Sequence, residues 1–292
     1  MRSFFLGCCL LLAACAAAPP LPDWQSPQGR KHPDLGLIRD LRSGETLSPV
    51  QLLDRLARAP RVLVGEQHDN PDHHALQVWL LQALEARRPQ GSLLLEMLNP
   101  DQQARVETAR AAYAEGHPPA DLAAALAWQK GWDWALYGPL VRHALERPYP
   151  LLAANLDRAE IMDIYTARPT LTGKASTAPK VRKALLEQIR ESHCGLLPDS
   201  QLPAMLAVQQ QRDRRMAQRV AAAAAPALLF AGAFHVRRDL GVPLHLADLQ
   251  PGQGEQVLIL SEVGKEVPAG AADYVWYTAA VPERDHCAEL KR

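Results

Sequence analysis

The chain has no surplus of either charge, with 32 basic residues against 32 acidic ones in 292. This argues against a nucleic-acid or anionic-bilayer surface partner, which would select a basic excess. No internal repeat is visible. There is no C-x-x-C-H run, so covalent c-type haem is not expected. Cysteine is scarce, at five residues. Long apolar runs are missing too. The most apolar stretch, at the N-terminus, falls short of the roughly 20 residues that a spanning helix needs.

That short stretch has its own pattern. Arg2 is a basic start, and Phe4, Phe5, Leu6 and Leu10 to Leu12 form an apolar core. Leu12-Ala13-Ala14-Cys15 then reads as a lipobox. The pattern predicts a signal peptide over 1–14, cleaved before a lipidated Cys15. A diacylglycerol with an amide-linked acyl chain is a multi-chain anchor, stable where one chain is not. Ala16, rather than Asp, after the cysteine favours the outer membrane, with the body in the periplasm. Residues 15–37 are rich in Ala, Pro, Gly and Gln and read as a flexible tether. Cys8 and Cys9 leave with the signal. Cys194 and Cys287 remain, in an oxidising compartment, either paired or as a buried thiol and a tail thiol.

The rest of the chain is long enough for one large domain with a subdomain. Short apolar runs alternate with helical patterns. Residues 61–64, 92–96, 150–154, 227–231, 257–260 and 274–277 are strand candidates. Such runs between helices predict an α/β fold with a mostly parallel central sheet flanked by helices. Ser48-Pro49 opens one helix. Asn70 and Pro71 open another through about Glu85. Between the third and fourth central strands, 158–166, 179–192 and 199–224 read as helices. They predict a small all-helical subdomain over 158–225, with contributions from 100–146, inserted in an α/β body of 38–157 and 226–292.

Polar residues gather at strand ends: Gly65-Glu66-Gln67-His68, Glu96, Asn155, and Gly232-Ala233-Phe234-His235. Ligands in open parallel sheets bind outside the carboxyl ends of the strands. Glu66, His68, Glu96 and His235 are therefore candidates for holding a divalent metal or for acid–base work. The alternative is that they bond one another and pin the rim.

Two segments, Gly65-Glu-Gln-His-Asp-Asn-Pro-Asp-His-His74 and Gly232 through Pro243, resemble the signature segments of the ChaN family of iron-regulated, haem-binding lipoproteins. Ser192-His-Cys-Gly-Leu-Leu-Pro198 and Gln211 to Met216 resemble that family's helical segment. The likeness runs in order over roughly 61–243. It implies a haem carrier or reservoir, non-enzymatic, that binds haem b (iron protoporphyrin IX) at the helical domain. It also implies two chains able to bring their haems face to face, as a homodimer through the haem site. An outer-membrane haem receptor is an implied partner. The strand-end motif is similar in outline to that of erythromycin esterase and TraB/Tiki relatives. A metal-dependent, esterase- or peptidase-like hydrolase using Glu66, His68, Glu96 and His235 is therefore the alternative expectation. A third is a vestigial rim on a protein that serves only as a receptor's partner.

The resemblance implies a tyrosine ligand, and Tyr165 lies at the matching place. A free phenol, with a pKa of about 10, ionises more easily on a bound cation. Read without the resemblance, Tyr165 is equally a helix-surface residue. Arg158 or Arg168 would assist or pair a propionate. Met162, three positions from Tyr165, would pack on the macrocycle. His193 is the second ligand candidate, or else a helix-end cap. Trp128, Trp132, Trp134 and Tyr137 read as packed core or as a wall for a flat ligand. His73 and His74 read as surface or rim residues. Arg237 and Arg238 read as a solvated turn or as propionate partners.

Overall fold

The computed structural model of the protein describes residues 19–250, 252, 254–285, 287 and 288. The signal peptide and Cys15 lie outside the described residues. Eight strands form one sheet: β1 (Ile38–Asp40), β2 (Thr46–Leu47), β3 (Arg61–Glu66), β4 (Ser92–Leu95), β5 (Leu151–Ala153), β6 (Ala227–Gly232), β7 (Glu255–Glu262) and β8 (Tyr274–Thr278). Their order is β2-β1-β8-β7-β3-β6-β4-β5. The pairs from β8 to β5 are all parallel, and β1 and β2 add an antiparallel edge. All six expected strands are present. The two edge strands, three and two residues long, were not expected. They are too short to carry a period-2 pattern.

The central strands are apolar throughout because both sheet faces are covered. Alternate side chains feed two cores. Val62, Val64, Leu93, Leu95, Leu228 and Phe230 face one core, and Leu63, Leu94, Leu229 and Ala231 face the other.

The first core is closed by α1 (Pro49–Ala57), α2 (Pro71–Glu85), α3 (Gln103–Ala114), α4 (Leu122–Ala125) and α5 (Trp134–Leu145). Helix starts follow local chemistry. Ser48 and Gln51 form a capping box ahead of α1, and Asn70 caps α2 with Pro71 in its first turn. Residues 100–146 do not contribute to the helical subdomain, contrary to expectation. Val106, Ala109, Tyr137 and Leu140 bury with α2 and β4 residues in this first core.

Between β5 and β6 run α6 (Arg158–Ala167), α7 (Pro179–Ser192) and α8 (Leu202–Ala222). This insertion is only partly a separate unit. Val181, Leu185 and Ile189 of α7 form a small core of their own with Leu202 and Leu206 of α8. Further along α8, Met216, Ala217 and Val220 sit in the second sheet core. The turn α9 (Ala233–Val236) and α10 (Val242–Leu249) complete that face. A disulfide joins Cys194, after α7, to Cys287.

The segment read as a tether is packed from its first described residue. The carbonyl of Pro19 accepts from Trp79 Nε1 at 2.8 Å. The Asp72 carboxylate accepts from the backbone N–H groups of Gln25 and Ser26, at 2.5 and 3.0 Å. Arg30 clips the turn by donating to the carbonyls of Ser26 and Trp24. Gln28 then bridges to Ala280. Backbone groups held by α2 order this stretch, and composition alone carries no sign of that.

Candidate functional site

Two glycines let the carboxyl ends of the strands close on one another. A Cβ at Gly65 would lie 2.7 Å from Ala233 Cα and 2.5 Å from Val236 Cγ2, so α9 can cross β3 only over a glycine. A Cβ at Gly232 would lie 2.9 Å from His68 Cε1. The expected cluster of Glu66, His68, Glu96 and His235 therefore does assemble, beside a cavity of about 470 Å³ lined by Glu66, His68, Gln209, Gly232, Phe234 and His235 among others.

Within the cluster the groups pair with one another. His235 is buried between two carboxylates. Its Nε2 faces Glu96 Oε1 at 3.2 Å, and its Nδ1 faces Asp213 Oδ1 of α8 at 2.5 Å. The second Glu96 oxygen accepts from the Gly232 N–H at 2.8 Å. Burial alone would lower the imidazole's pKa, but the two anions overturn that and raise it to about 10. Burial would raise Glu96, yet the His235 charge and the Gly232 hydrogen bond hold it at about 2. Asp213 moves up, because burial and the nearby Glu96 anion outweigh the shared cation. Two carboxylates thus share one imidazolium, and Asp213 is the anion most easily protonated.

Glu66 and His68 form the other half. His68 Nδ1 lies 2.6 Å from Glu66 Oε1, and Tyr137 of α5 donates its hydroxyl to that same oxygen at 2.9 Å. Burial lowers the His68 pKa, but the Glu66 hydrogen bond and charge outweigh it and the net shift is upward. The Trp132 ring meets His68 edge-on, with centroids 4.8 Å apart.

This wiring decides what the cluster can do. A protonated His235 donates from both nitrogens and offers no lone pair to a metal or a substrate proton. Among the described residues, no group of three His, Cys, Asp or Glu side chains has an arrangement that holds a metal ion. The reading of mutually bonded groups pinning the rim fits Glu96, Asp213 and His235, whereas Glu66 keeps one buried oxygen without a partner among the described residues and His68 leaves its ring exposed beside the cavity. Asp213, Gln209 and Tyr137 were missed as members of it. They arrive from helices, 71 positions from Glu66 in the case of Tyr137. The signal for Asp213 was its place in the segment 211–216, noted above for its family likeness.

The histidines after Pro71 are not surface residues. His73 is fully buried, its Nδ1 accepting from the Gln67 N–H at 2.8 Å and its Nε2 lying 2.9 Å from Thr278 Oγ1. Burial drives its pKa far down, so it is a neutral brace for the loop after β3. His74 Nε2 lies 3.0 Å from the His68 carbonyl. Nor do Arg237 and Arg238 form a free, solvated turn. Arg237 forks onto Asp239, and Arg238 onto Asp273 and Glu255. The tryptophans pack partly buried against the first core, around Tyr137.

The ligand candidates sit elsewhere. Helix α6 begins with a capping box, Asp157 accepting from the Glu160 N–H and Glu160 accepting from the Asp157 N–H. It ends in a left-handed Arg168, φ 48°. Glu160 forks onto Arg215 of α8. None of the ten residues of α6 is buried. Met162 is 54% exposed, and Ile161, Ile164 and Tyr165 are half-buried. Arg158, Met162 and Tyr165, spaced by four and three, form one stripe, with Arg168 just beyond it. His193 ends α7 instead, with Nδ1 2.8 Å from the Ile189 carbonyl. Helices α6 and α7 each pack on α8. No hydrogen bond joins Tyr165 to His193 among the described residues.

The sequence model of the family described as "Haem-binding uptake, Tiki superfamily, ChaN" matches residues 52–246. Among solved structures, one described as cofacial haem binding to ChaN of Campylobacter jejuni is 31% identical, with a TM-score of 0.75. It covers 82% of this chain and 95% of that one. A mutant of the erythromycin esterase EreC, in its open conformation, is 14% identical, covers 87% of this chain and 86% of its own, and has a TM-score of 0.45. A Bacillus cereus protein is 12% identical over 73% of this chain and 68% of its own, with a TM-score of 0.41. No curated protein sequence matches the chain. A family match over most of the folded body, joined to the Campylobacter likeness, places the chain in the ChaN family of the Tiki superfamily.

Proposed function

We propose that this protein binds haem b as cargo of a haem-uptake system, without enzymatic activity. It would act as a carrier or reservoir anchored to the outer membrane through Cys15, with its body in the periplasm. One observation carries the choice of site. Helix α6 sets a phenol, a thioether and a guanidinium on one stripe and buries none of them. A second chain closing over such a face can bury a flat apolar ligand between them, and ferric iron takes a tyrosinate ligand well.

In this reading Tyr165 ligates the iron, Met162 packs on the macrocycle, and Arg158 or Arg168 pairs a propionate. His193 is the second candidate. If its Nδ1 donates to the Ile189 carbonyl, the lone pair lies on Nε2, the tautomer that suits metal ligation. Since α6 and α7 pack on different parts of α8, His193 more readily serves a haem approaching from a second chain. The homodimer through facing haems follows the Campylobacter relative, whose structure is described as cofacial. A receptor in the outer membrane would be the donor or acceptor. The Cys194–Cys287 disulfide supports an oxidising compartment.

The test is a titration of residues 19–292 with ferric haem, followed at the Soret band and by sedimentation. A saturable spectrum and a haem-dependent dimer are expected. No saturable spectrum would sink the reading. A dimer of equal strength without haem would remove the facing-haem interface.

A further inference from the structure

We infer that the α2–α5 face is docked directly on the bilayer. The inference rests on the proposed lipidation of Cys15 and concerns what the packed N-terminal segment does with it. Pro19 is already fixed to α2 through Trp79, and Gln25 and Ser26 are fixed through Asp72. Only Ala16, Ala17 and Ala18 then separate the lipidated cysteine from the folded body. Four residue steps span at most about 14 Å even when fully extended. A free 22-residue tether would instead have an r.m.s. reach of about 26 Å. The lipid therefore selects which surface meets the membrane.

That surface suits an uncharged interface. A groove of about 370 Å³ runs beside the fixed segment, lined by Pro20, Pro22, Val78, Trp79, Leu136 and Pro139 among others, with no Asp, Glu, Lys or Arg in its wall. Leu21, at the segment's outer edge, is 46% exposed. With no cations in the groove wall and a neutral chain overall, the docking is apolar and leash-driven, not an attraction to anionic headgroups.

This docking would also set where the proposed haem face points. Helices α2 and α5 cover one face of the sheet, and α8, which carries α6, covers the other. Docking through α2 and α5 turns Tyr165 away from the bilayer, open to a second chain.

The full-length lipoprotein, with the lipid confirmed by mass, is reconstituted in vesicles of zwitterionic phospholipid containing headgroup spin labels. Fluorophores are placed through Ala135→Cys on α5 or Asp163→Cys on α6, both exposed positions. The label at 135 should be quenched severalfold more than the label at 163. An insertion of about 20 Gly and Ser residues after Ala18, with an r.m.s. reach of about 25 Å, should erase that difference. Equal quenching at both sites with the lipid present overturns the docking alone, and a difference that survives the insertion overturns the leash as its cause. A chain that carries no lipid overturns the anchor and the docking together. Haem binding by the soluble body is untouched in either case.

Discussion

The strand-end cluster and helix α6 are two polar regions of this molecule built in opposite ways. The cluster buries Glu66, Glu96, Asp213, His235 and Tyr137, and Glu96, Asp213 and His235 spend their hydrogen bonds on one another, while one Glu66 oxygen stays unpartnered among the described residues and the His68 ring is open to solvent. Helix α6 buries none of its side chains, leaving Arg158 and Met162 exposed and Tyr165 half-buried. Titratable density drew attention to the first from the sequence. Openness marks the second as the place with capacity left for a ligand. Buried polar groups that satisfy one another specify a structure; exposed apolar and ligating groups on one stripe await a partner.

The sharpest way to break this comparison is His235→Ala. It leaves Glu96 and Asp213 buried without their shared cation, a loss of the kind that costs about 3–5 kcal/mol. Urea denaturation should show that loss, while the fraction still folded should bind haem as before. A variant of unchanged stability would mean that the cluster does not hold the rim together.

The same triad gives a pH signature. The folded His235 value of about 10 lies above its ordinary 6.5, so its contribution is complete below 6.5 and fades as pH rises through 10. Glu96, held at about 2 against an ordinary 4.5, contributes fully above 4.5 and loses that contribution as pH falls through 2. Stability from this pair should therefore be greatest between about 4.5 and 6.5 and decline on both sides. Asp213 moves up from its ordinary 3.8, so its burial costs stability as pH rises from 3.8 through its folded value, partly offsetting the gain from Glu96 on the acid side. A His235→Gln protein should lose the alkaline slope. Equal slopes in both proteins would place the titration elsewhere.

From the other region, Tyr165→Phe should do the reverse of His235→Ala. The change removes one hydroxyl from a half-buried site, so unfolding free energy should stay within about 0.5 kcal/mol. Haem affinity should fall at least about tenfold, or 1.4 kcal/mol, with altered charge-transfer bands. An unchanged spectrum would move the ligand to another residue, with His193→Ala the next variant to titrate.

Much of the fold was legible because its signals are local. Apolar runs bounded by turns marked the six central strands, and Ser48, Asn70 and Pro71 marked helix starts. Glu66, His68, Glu96 and His235 were legible as a group because each follows a strand. What was not legible depends on distant partners. Tyr137 and Asp213 reach the cluster from helices on opposite faces of the sheet. His73 and His74 looked external beside Pro71 and Asp72, yet both are buried and brace the loop after β3. Pro-, Gly- and Gln-rich composition suggested a free tether, and contacts with Asp72, Trp79 and Ala280 reveal that its described part is fixed.

The smallest effect tests whether the openness of α6 also makes it locally weak. With no buried residue, this helix is held by its Asp157–Glu160 capping box and by the Glu160–Arg215 fork to α8. Removing the cap with Asp157→Ala should cost about 1 kcal/mol. In a core helix that cost would appear in the global unfolding free energy. Here it should appear first as faster native-state hydrogen exchange of the α6 amides, with little change in the urea midpoint. Haem bound along the stripe should restore protection, since a ligand that binds only the folded helix stabilises it by mass action. Exchange that accelerates equally in α6 and in β3 would show that α6 unfolds only with the body, and the contrast between the rigid cluster and the open helix would then lose its dynamic half.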